Sequence, residues 1–197
     1  MKTVFTYAVS LLLCVTVLAA LPLEGEGAIY DEVIRLHVLA ASDKESDQQD
    51  KLAVRDAILS AYGEALAKTD RESAAATVEA HIPAIEALAR ETLAARGCDA
   101  PVTVSFTDEV YPERRYGELR FPAGVYQSLR IVIGEGAGQN WWCVLFPPMC
   151  VGAASGDVAV VAPDEKPNAL GEGAWRIVSR TGEYEMRFRF LELLSGR

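Results

Sequence analysis

The sequence is poor in histidine and in positive charge. It has two histidines, and its 19 lysines and arginines are outnumbered by 28 aspartates and glutamates, which gives a formal net charge of −9. An acidic chain without a basic run repels phosphate backbones, so we exclude nucleic acid as a partner. The cysteines and histidines also show no metal-ligand spacing, so the sequence predicts neither a metal site nor another cofactor.

A glycine-rich segment, GEGAGQN from Gly134 to Asn140, also lacks the residues that a phosphate-binding loop needs. No Lys-Ser or Lys-Thr follows the glycines, and a strand-like WWCVLF stands where a helix would have to receive the anion. The segment is therefore interpreted as a long hairpin turn.

Long apolar runs are absent except at the N-terminus. There a run of apolar residues follows Lys2 and ends among small residues, which is typical of a secretory signal cut after Ala20 or after Ala28. The run is nearly long enough to span a bilayer, so an uncleaved membrane anchor is the alternative. We interpret residues 1–28 as a signal peptide or N-terminal anchor, and residues 29–197 as a single exported domain.

Hydrophobic periodicity predicts one strand followed by helices in the first half of that domain. Residues 34–40 alternate between apolar and other side chains, which indicates a strand with one buried face. A helix is predicted from Ser46, which would form a capping box with Gln49, to residue 67. A second helical stretch covers residues 72–96, where Pro83 either kinks the helix or starts a new one, and Gly97 is the expected C-cap.

The second half changes to short strands separated by proline and glycine. The predicted strands are PVTVSFTD, RRYGELRFPAG, VYQSLRIVIGEG and NWWCVLF, with an FPAG hairpin turn between the second and third. A loop is expected over residues 151–173 and a closing strand over 184–190. The order of elements predicts an α+β fold: a strand, two to three helices, then a mainly antiparallel sheet of short strands.

Three cysteines lie beyond the N-terminal segment, and they leave two alternatives open. Cys143 and Cys150 form a disulfide if the Pro-Pro between them reverses the chain, while Cys98 has no assigned role. Alternatively Cys143 is a nucleophile with His37 as its base and Gln139 or Asn140 as the oxyanion donor. The second pattern is weak, because a chain with a cysteine and two histidines always offers such a pair.

Three further residues stand out against their surroundings. Trp141 and Trp142 point to opposite faces if they lie on a strand, so at least one needs a helix or a partner to cover it. Arg55 falls inside the apolar arc of the first predicted helix. It either extends its charged end to the surface or, in the interpretation that we favour, pairs with Asp43 or Asp56, because an unpaired buried charge is costly.

Two long blocks carry a resemblance to a known family. VIRLHVLAASDKESDQQDKLAVRDAIL and RYGELRFPAGVYQSLRIVIGEGAGQNWWCVLFPPMC resemble stage II sporulation protein R of endospore-forming bacteria. Together with the N-terminal segment and the YEMRFRF strand, the resemblance covers most of the chain. Cys98 and residues 151–175 follow no recognisable family pattern.

The resemblance implies a non-enzymatic signalling protein, secreted from the forespore into the space between two membranes. Its partner there would be a membrane-embedded aspartic protease of the mother cell, which then processes the pro-form of the early mother-cell sigma factor. Contact with the membrane would occur only through an uncleaved N-terminal segment. The alternative is a cysteine-dependent hydrolase acting on an envelope component. If the chain acts by binding, the candidate contact residues are Arg35, His37, Asp43, Arg55, Trp141 and Trp142.

Overall fold

The computed structural model describes residues 2–20, 26–117, 119–149 and 166–179. The chain divides into two units, one formed by Met1–Glu24 with Thr181–Arg197 and the other by Gly25–Arg180. The described part of the first unit is one helix, α1, over Lys2–Ala20. In the described ranges, no helix combines the length and the apolar character needed to cross a membrane. The interpretation of residues 1–28 as a signal or anchor stays a prediction.

The second unit contains helices and strands in the proportions of an α+β fold, which confirms the predicted fold class. Its helices are α2 (Glu26–Glu32), α3 (Glu45–Ala67), α4 (Arg71–Ala80), α5 (Ile82–Ala95) and α6 (Glu172–Val178). Its strands are β1 (Ile34–Leu39), β2 (Val102–Tyr111), β3 (Arg114–Tyr116), β4 (Leu119–Phe121), β5 (Gly124–Ile133) and β6 (Asn140–Phe146).

The helices largely follow the sequence pattern. Pro83 starts a new helix, because α4 ends before it and α5 carries the proline in its first turn, where a missing N–H costs nothing. Gly97 follows the end of α5 with a φ of 75°, and the N–H of Cys98 bonds back to the carbonyl of Leu93. The predicted capping box is wrong, because α3 begins at Glu45 and its N-cap, Lys44, makes no side-chain capping bond.

Within the described residues the strands form a four-stranded sheet and a separate two-stranded ribbon. The order in the sheet is β2-β5-β1-β6, where β1 runs parallel to β5 and the other two pairings are antiparallel. The ribbon pairs β3 with β4 through a turn at Gly117, whose φ is 57°. The predicted FPAG hairpin is therefore wrong, since Pro122 and Ala123 connect strands of two different sheets.

The central strand β1 is buried along its whole length, so the prediction of one buried face is wrong. One face carries Ile34, Leu36 and Val38 into a core shared with α3, α4 and α5. The other face lies under a second hydrophobic cluster, which draws its buried residues from α2, β3–β4, α6 and neighbouring strands: Ile29, Val33, Tyr111, Leu119, Phe121, Tyr126, Val144, Met149, Leu170, Ala174 and Val178. The short elements α2 and α6 gave no sequence signal, and they help to cover this second face.

The glycine-rich segment is a crossover and not the predicted hairpin turn, because β1 lies between β5 and β6. It passes over the end of β1, where the N–H of Gly138 donates to the carbonyl of Ala40. A Cβ on Gly138 would lie 2.2 Å from the carbonyl oxygen of Ser42. The chain needs glycine here because backbone approaches backbone. Most of the expected loop, residues 151–165, and the expected strand over 184–190 lie outside the described residues.

Gly138→Ala should lower the free energy of unfolding by about 1–3 kcal/mol, because the added methyl group collides with fixed backbone. Gly63→Ala is the matched control, since Gly63 lies within α3 and an added Cβ meets nothing within 4 Å. There the helix interior favours alanine, so stability should rise by up to about 1 kcal/mol. Urea denaturation of the two variants measures both changes. If both variants changed the free energy of unfolding in the same direction and by the same amount, the close backbone packing at the crossover would be contradicted.

Candidate functional site

The face of the sheet opposite α3 and α5 holds a buried arginine in an aromatic cage. Arg35 projects to this face because it alternates with Ile34 and Leu36 along β1, and its side chain is 0% exposed. Its guanidinium carbon lies 4.5 Å to 5.6 Å from the centroids of four rings: Tyr111 (4.5 Å), Phe121 (5.1 Å), Tyr126 (5.1 Å) and Tyr116 (5.6 Å). At these distances a cation is attracted by the electron-rich ring faces.

Hydrogen bonds in the cage tie the β3–β4 ribbon to the sheet. Arg35 Nη2 donates to the hydroxyl of Tyr116 over 2.8 Å, and that hydroxyl donates to the carbonyl of Trp142 over 2.9 Å. Burial raises the pKa of Tyr111 and that of Tyr116 above the ordinary value, although Arg35 acts in the opposite direction on both. The phenols therefore stay protonated at neutral pH. In the described part of the chain Arg35 has no ion-paired carboxylate, so ring faces and a neutral hydroxyl hold its charge.

His37 lies two residues further along the same face and connects three strands. Its Nδ1 is 2.8 Å from Glu109 Oε1 on β2, and its Nε2 is 2.9 Å from Asn140 Oδ1 on β6. A carboxylate only accepts hydrogen bonds, so Nδ1 carries the proton. The two contacts hold the imidazole ring between β2 and β6. Arg130 Nε lies 3.5 Å from the same Glu109 oxygen, which adds a charge partner.

The two tryptophans of β6 project to opposite faces, as predicted, and each lies against an arginine. Trp142 pairs with His37 in the strand register, and Arg114 of β3 stacks on it with its guanidinium carbon 3.7 Å from the ring centroid. Trp141 lies on the helical side, where the guanidinium carbon of Arg55 is 4.2 Å from its ring centroid. Both indoles are half-buried.

Arg55 also confirms one of its two expected pairings. Its Nε lies 2.7 Å from Asp56 Oδ1, and its side chain is buried. Asp43, the other expected partner, instead accepts from the backbone N–H of Gln139 over 2.8 Å. The carbonyl of Gln139 accepts from Lys51 Nζ over 3.1 Å. The backbone of Gln139, just before β6, is thus held at both its N–H and its carbonyl.

Strands β3 and β6 border an open groove, which we call the Trp–Arg groove. Its volume is about 750 Å³, and the residues that line it are Arg114, Arg115, Tyr116, Gly117, Gln139, Asn140, Trp141 and Trp142. Sequence reasoning singled out the two tryptophans but missed Arg114, Arg115 and Tyr116. No local signal marks them, because β3 meets β6 only through tertiary packing.

The six candidate contact residues occupy different positions around the groove. Arg35, His37 and Arg55 are buried, so their side chains hold neighbouring groups in place. Trp141 and Trp142 line the groove, and Asp43 is exposed and positions Gln139. Two of the six residues therefore line the groove, and the other four hold neighbouring residues in place. Partner contact by any of the six stays a prediction.

The suggested Cys143–His37 catalytic pair is wrong. Cys143 pairs with Leu36 in the register of β1 and β6, whereas His37 pairs with Trp142, so the thiol and the imidazole project to opposite faces of the sheet. Cys143 is 1% exposed and belongs to the core under the helices. Its expected partner in a disulfide, Cys150, lies outside the described residues, so that bridge stays a prediction. In the described ranges no three His, Cys, Asp or Glu side chains converge as a metal site.

Tyr116→Phe should lower the free energy of unfolding by about 1–3 kcal/mol, because Arg35 loses a buried acceptor and the Trp142 carbonyl loses its donor. Tyr62→Phe is the control, since its hydroxyl makes no hydrogen bond with any described residue, and we expect a change within about 0.5 kcal/mol. Denaturant unfolding measures both variants. Indistinguishable stabilities would contradict the bridging role of Tyr116.

Comparison with known proteins places the chain in a family. The family model described as Stage II sporulation protein R matches residues 30–155, a range that contains every residue lining the Trp–Arg groove. One relative, named stage II sporulation protein R from Bacillus subtilis (strain 168), is 38% identical over 141 residues, which are 70% of this chain and 62% of the relative. No solved structure matches the chain. The chain belongs to the stage II sporulation protein R family.

Proposed function

We propose that this sporulation protein is an exported signal that activates a membrane-embedded aspartic protease of the mother cell. The protease would then remove the pro-sequence of the early mother-cell sigma factor. The signal would be secreted from the forespore and would act in the space between the two membranes. The chain spans 62% of the length of the relative that it matches, so what the whole protein does is a proposal for this chain.

The observation that carries the proposal is an open groove inside the family-matched range. A binding protein needs an accessible surface on a rigid support, with aromatic and arginine side chains as anchors. The Trp–Arg groove supplies half-buried indoles and two arginines on strands fixed by the Arg35 cage and the His37 bonds. The groove is therefore suited to a protein that acts by binding a partner.

The alternative of a cysteine-dependent hydrolase finds no support in the geometry. A thiol nucleophile needs a base within about 2.6–3.2 Å, and His37 is on the other side of the sheet from Cys143. His37 is also occupied by Glu109 and Asn140, which leaves neither ring nitrogen directed at a substrate. We therefore assign Cys143 a structural role in the core.

Co-expression in a non-sporulating bacterium tests the proposal. The full chain, the membrane protease and the sigma-factor precursor are produced together, and processing is followed by the size of the sigma factor. We expect processing only when all three are present, and not with a protease whose catalytic aspartate is replaced by alanine. A precursor that remains intact in the presence of an exported, folded chain would contradict the proposed function.

The double variant Cys143→Ala and Cys150→Ala should still trigger processing, because the proposed signal acts by shape and not through a thiol. Circular dichroism and thermal unfolding establish whether the variant is folded at the assay temperature. If a bridge joins the two cysteines, its loss lowers stability by about 2–3 kcal/mol, so the assay is run well below the unfolding temperature. A folded variant with no signalling would point to thiol chemistry instead.

A further inference from the structure

The Trp–Arg groove lies along the side of β6 that pairs with no strand among the described residues. Trp141 and Trp142 project to opposite faces of the sheet, yet both line the groove. One side of β6 is occupied by its pairing with β1, so a groove that contacts both indoles has to run along the other side. Its far wall comes from the β3–β4 ribbon, through Arg114 to Gly117. The shape is that of a trough beside a strand, which suits an extended chain.

The groove differs in charge from the chain as a whole. The chain carries a net charge of −9, but among the described residues those that line the groove include two arginines and no acidic side chain. The side chain of Arg115 is 71% exposed, and its Nε lies 3.5 Å from Glu113, which also pairs with Arg120. That exposed pair contributes little, so Arg115 is available to a second carboxylate.

Arg114 is held in an orientation that leaves it able to bind an anion. It stacks on Trp142 and makes no ion pair with the residues that the structure describes, and its Nε is buried without a hydrogen-bond partner there. The planar guanidinium carries its N–H groups as a fork that matches the two oxygens of a carboxylate. The contact with Trp142 thus holds a potential carboxylate donor in the lining of the groove.

The walls of the groove are also fixed before any ligand arrives. Tyr116 bonds to the Trp142 carbonyl, and Asn140 bonds to His37. Gln139 is held by Asp43 at its N–H and by Lys51 at its carbonyl. Binding therefore orders few side chains of this protein, which lowers the entropic cost of association.

We propose that the Trp–Arg groove binds an extended acidic peptide segment of the partner protein. Carboxylates of the segment pair with Arg114 and Arg115, and its apolar side chains pack on Trp141 and Trp142. The charge favours an acidic ligand over a neutral glycan, and the strand edge favours an extended peptide. This inference deepens the proposed function, since the segment belongs to the extracytoplasmic part of the activated protease.

A labelled synthetic peptide of alternating glutamate and phenylalanine is the probe, and its fluorescence anisotropy with the full chain reports binding. Matched peptides carry glutamine or lysine in place of glutamate, and a neutral chitin oligosaccharide serves as the glycan probe. We expect binding of the glutamate peptide alone. It should weaken strongly in about 1 M sodium chloride, where the Debye length is about 3 Å.

The double variant Arg114→Glu and Arg115→Glu should weaken this binding by at least about tenfold, because each reversal turns an attraction into a repulsion. The control reverses two exposed charges on the helical layer, Lys68→Glu and Arg90→Glu, and matches the change in net charge. We expect the control to bind the peptide as the unaltered chain does. Equal binding of the glutamine peptide, binding of the chitin oligosaccharide, or a groove variant that binds normally would overturn the inference.

The sigma-factor processing assay separates this inference from the proposed function. If the unaltered chain and the control variant trigger processing and the groove variant does not, the groove is supported as the recognition site. If all three trigger processing, the groove inference fails while the proposed function stands. If the unaltered chain triggers none, the proposed function fails, and the peptide-binding measurement still decides the chemistry of the groove.

Discussion

The fold of the second unit depends on how one buried positive charge is accommodated. Arg35 stands on the central strand with no exposed surface, and an unpaired ion at such a place would be strongly destabilising. Among the described residues, four aromatic rings and one hydroxyl acceptor surround it, and no carboxylate pairs with it. Because those rings come from β2, β3, β4 and β5, holding the charge also fixes the ribbon against the sheet. The location of the groove follows from that contact.

Around the groove, arginine stacking joins separate layers of the molecule. Arg55 from the helical layer lies on Trp141, and Arg114 from the ribbon lies on Trp142. Two consecutive residues of one strand thereby contact both layers. His37, Asn140 and Glu109 add a polar connection across the sheet, so the start of β6 is held from several directions. A surface held in this way is rigid.

The sequence alone predicts those features that depend on neighbours along the chain. The extent of α3, an interruption of the helical stretch at Pro83, the glycine after α5 and the opposite orientation of Trp141 and Trp142 all follow from local period and backbone chemistry. The failures concern contacts between distant segments. The second buried face of β1 depends on α2, α6 and the ribbon, and the crossover at Gly138 depends on β1 lying between β5 and β6. Likewise, Arg114 and Arg115 become part of a groove only when β3 packs beside β6.

The position of β1 has a consequence for the order in which the protein folds. It is the first strand of the domain to be synthesised, but its two neighbours are β5 and β6, which begin at Gly124 and Asn140. A chain that emerges from its N-terminus therefore holds an unpaired central strand until most of the domain has followed, and such long-range pairing is slow. The sheet can be completed only after β5 and β6 have been synthesised, so the stable fold forms late, when most of the second unit is already present.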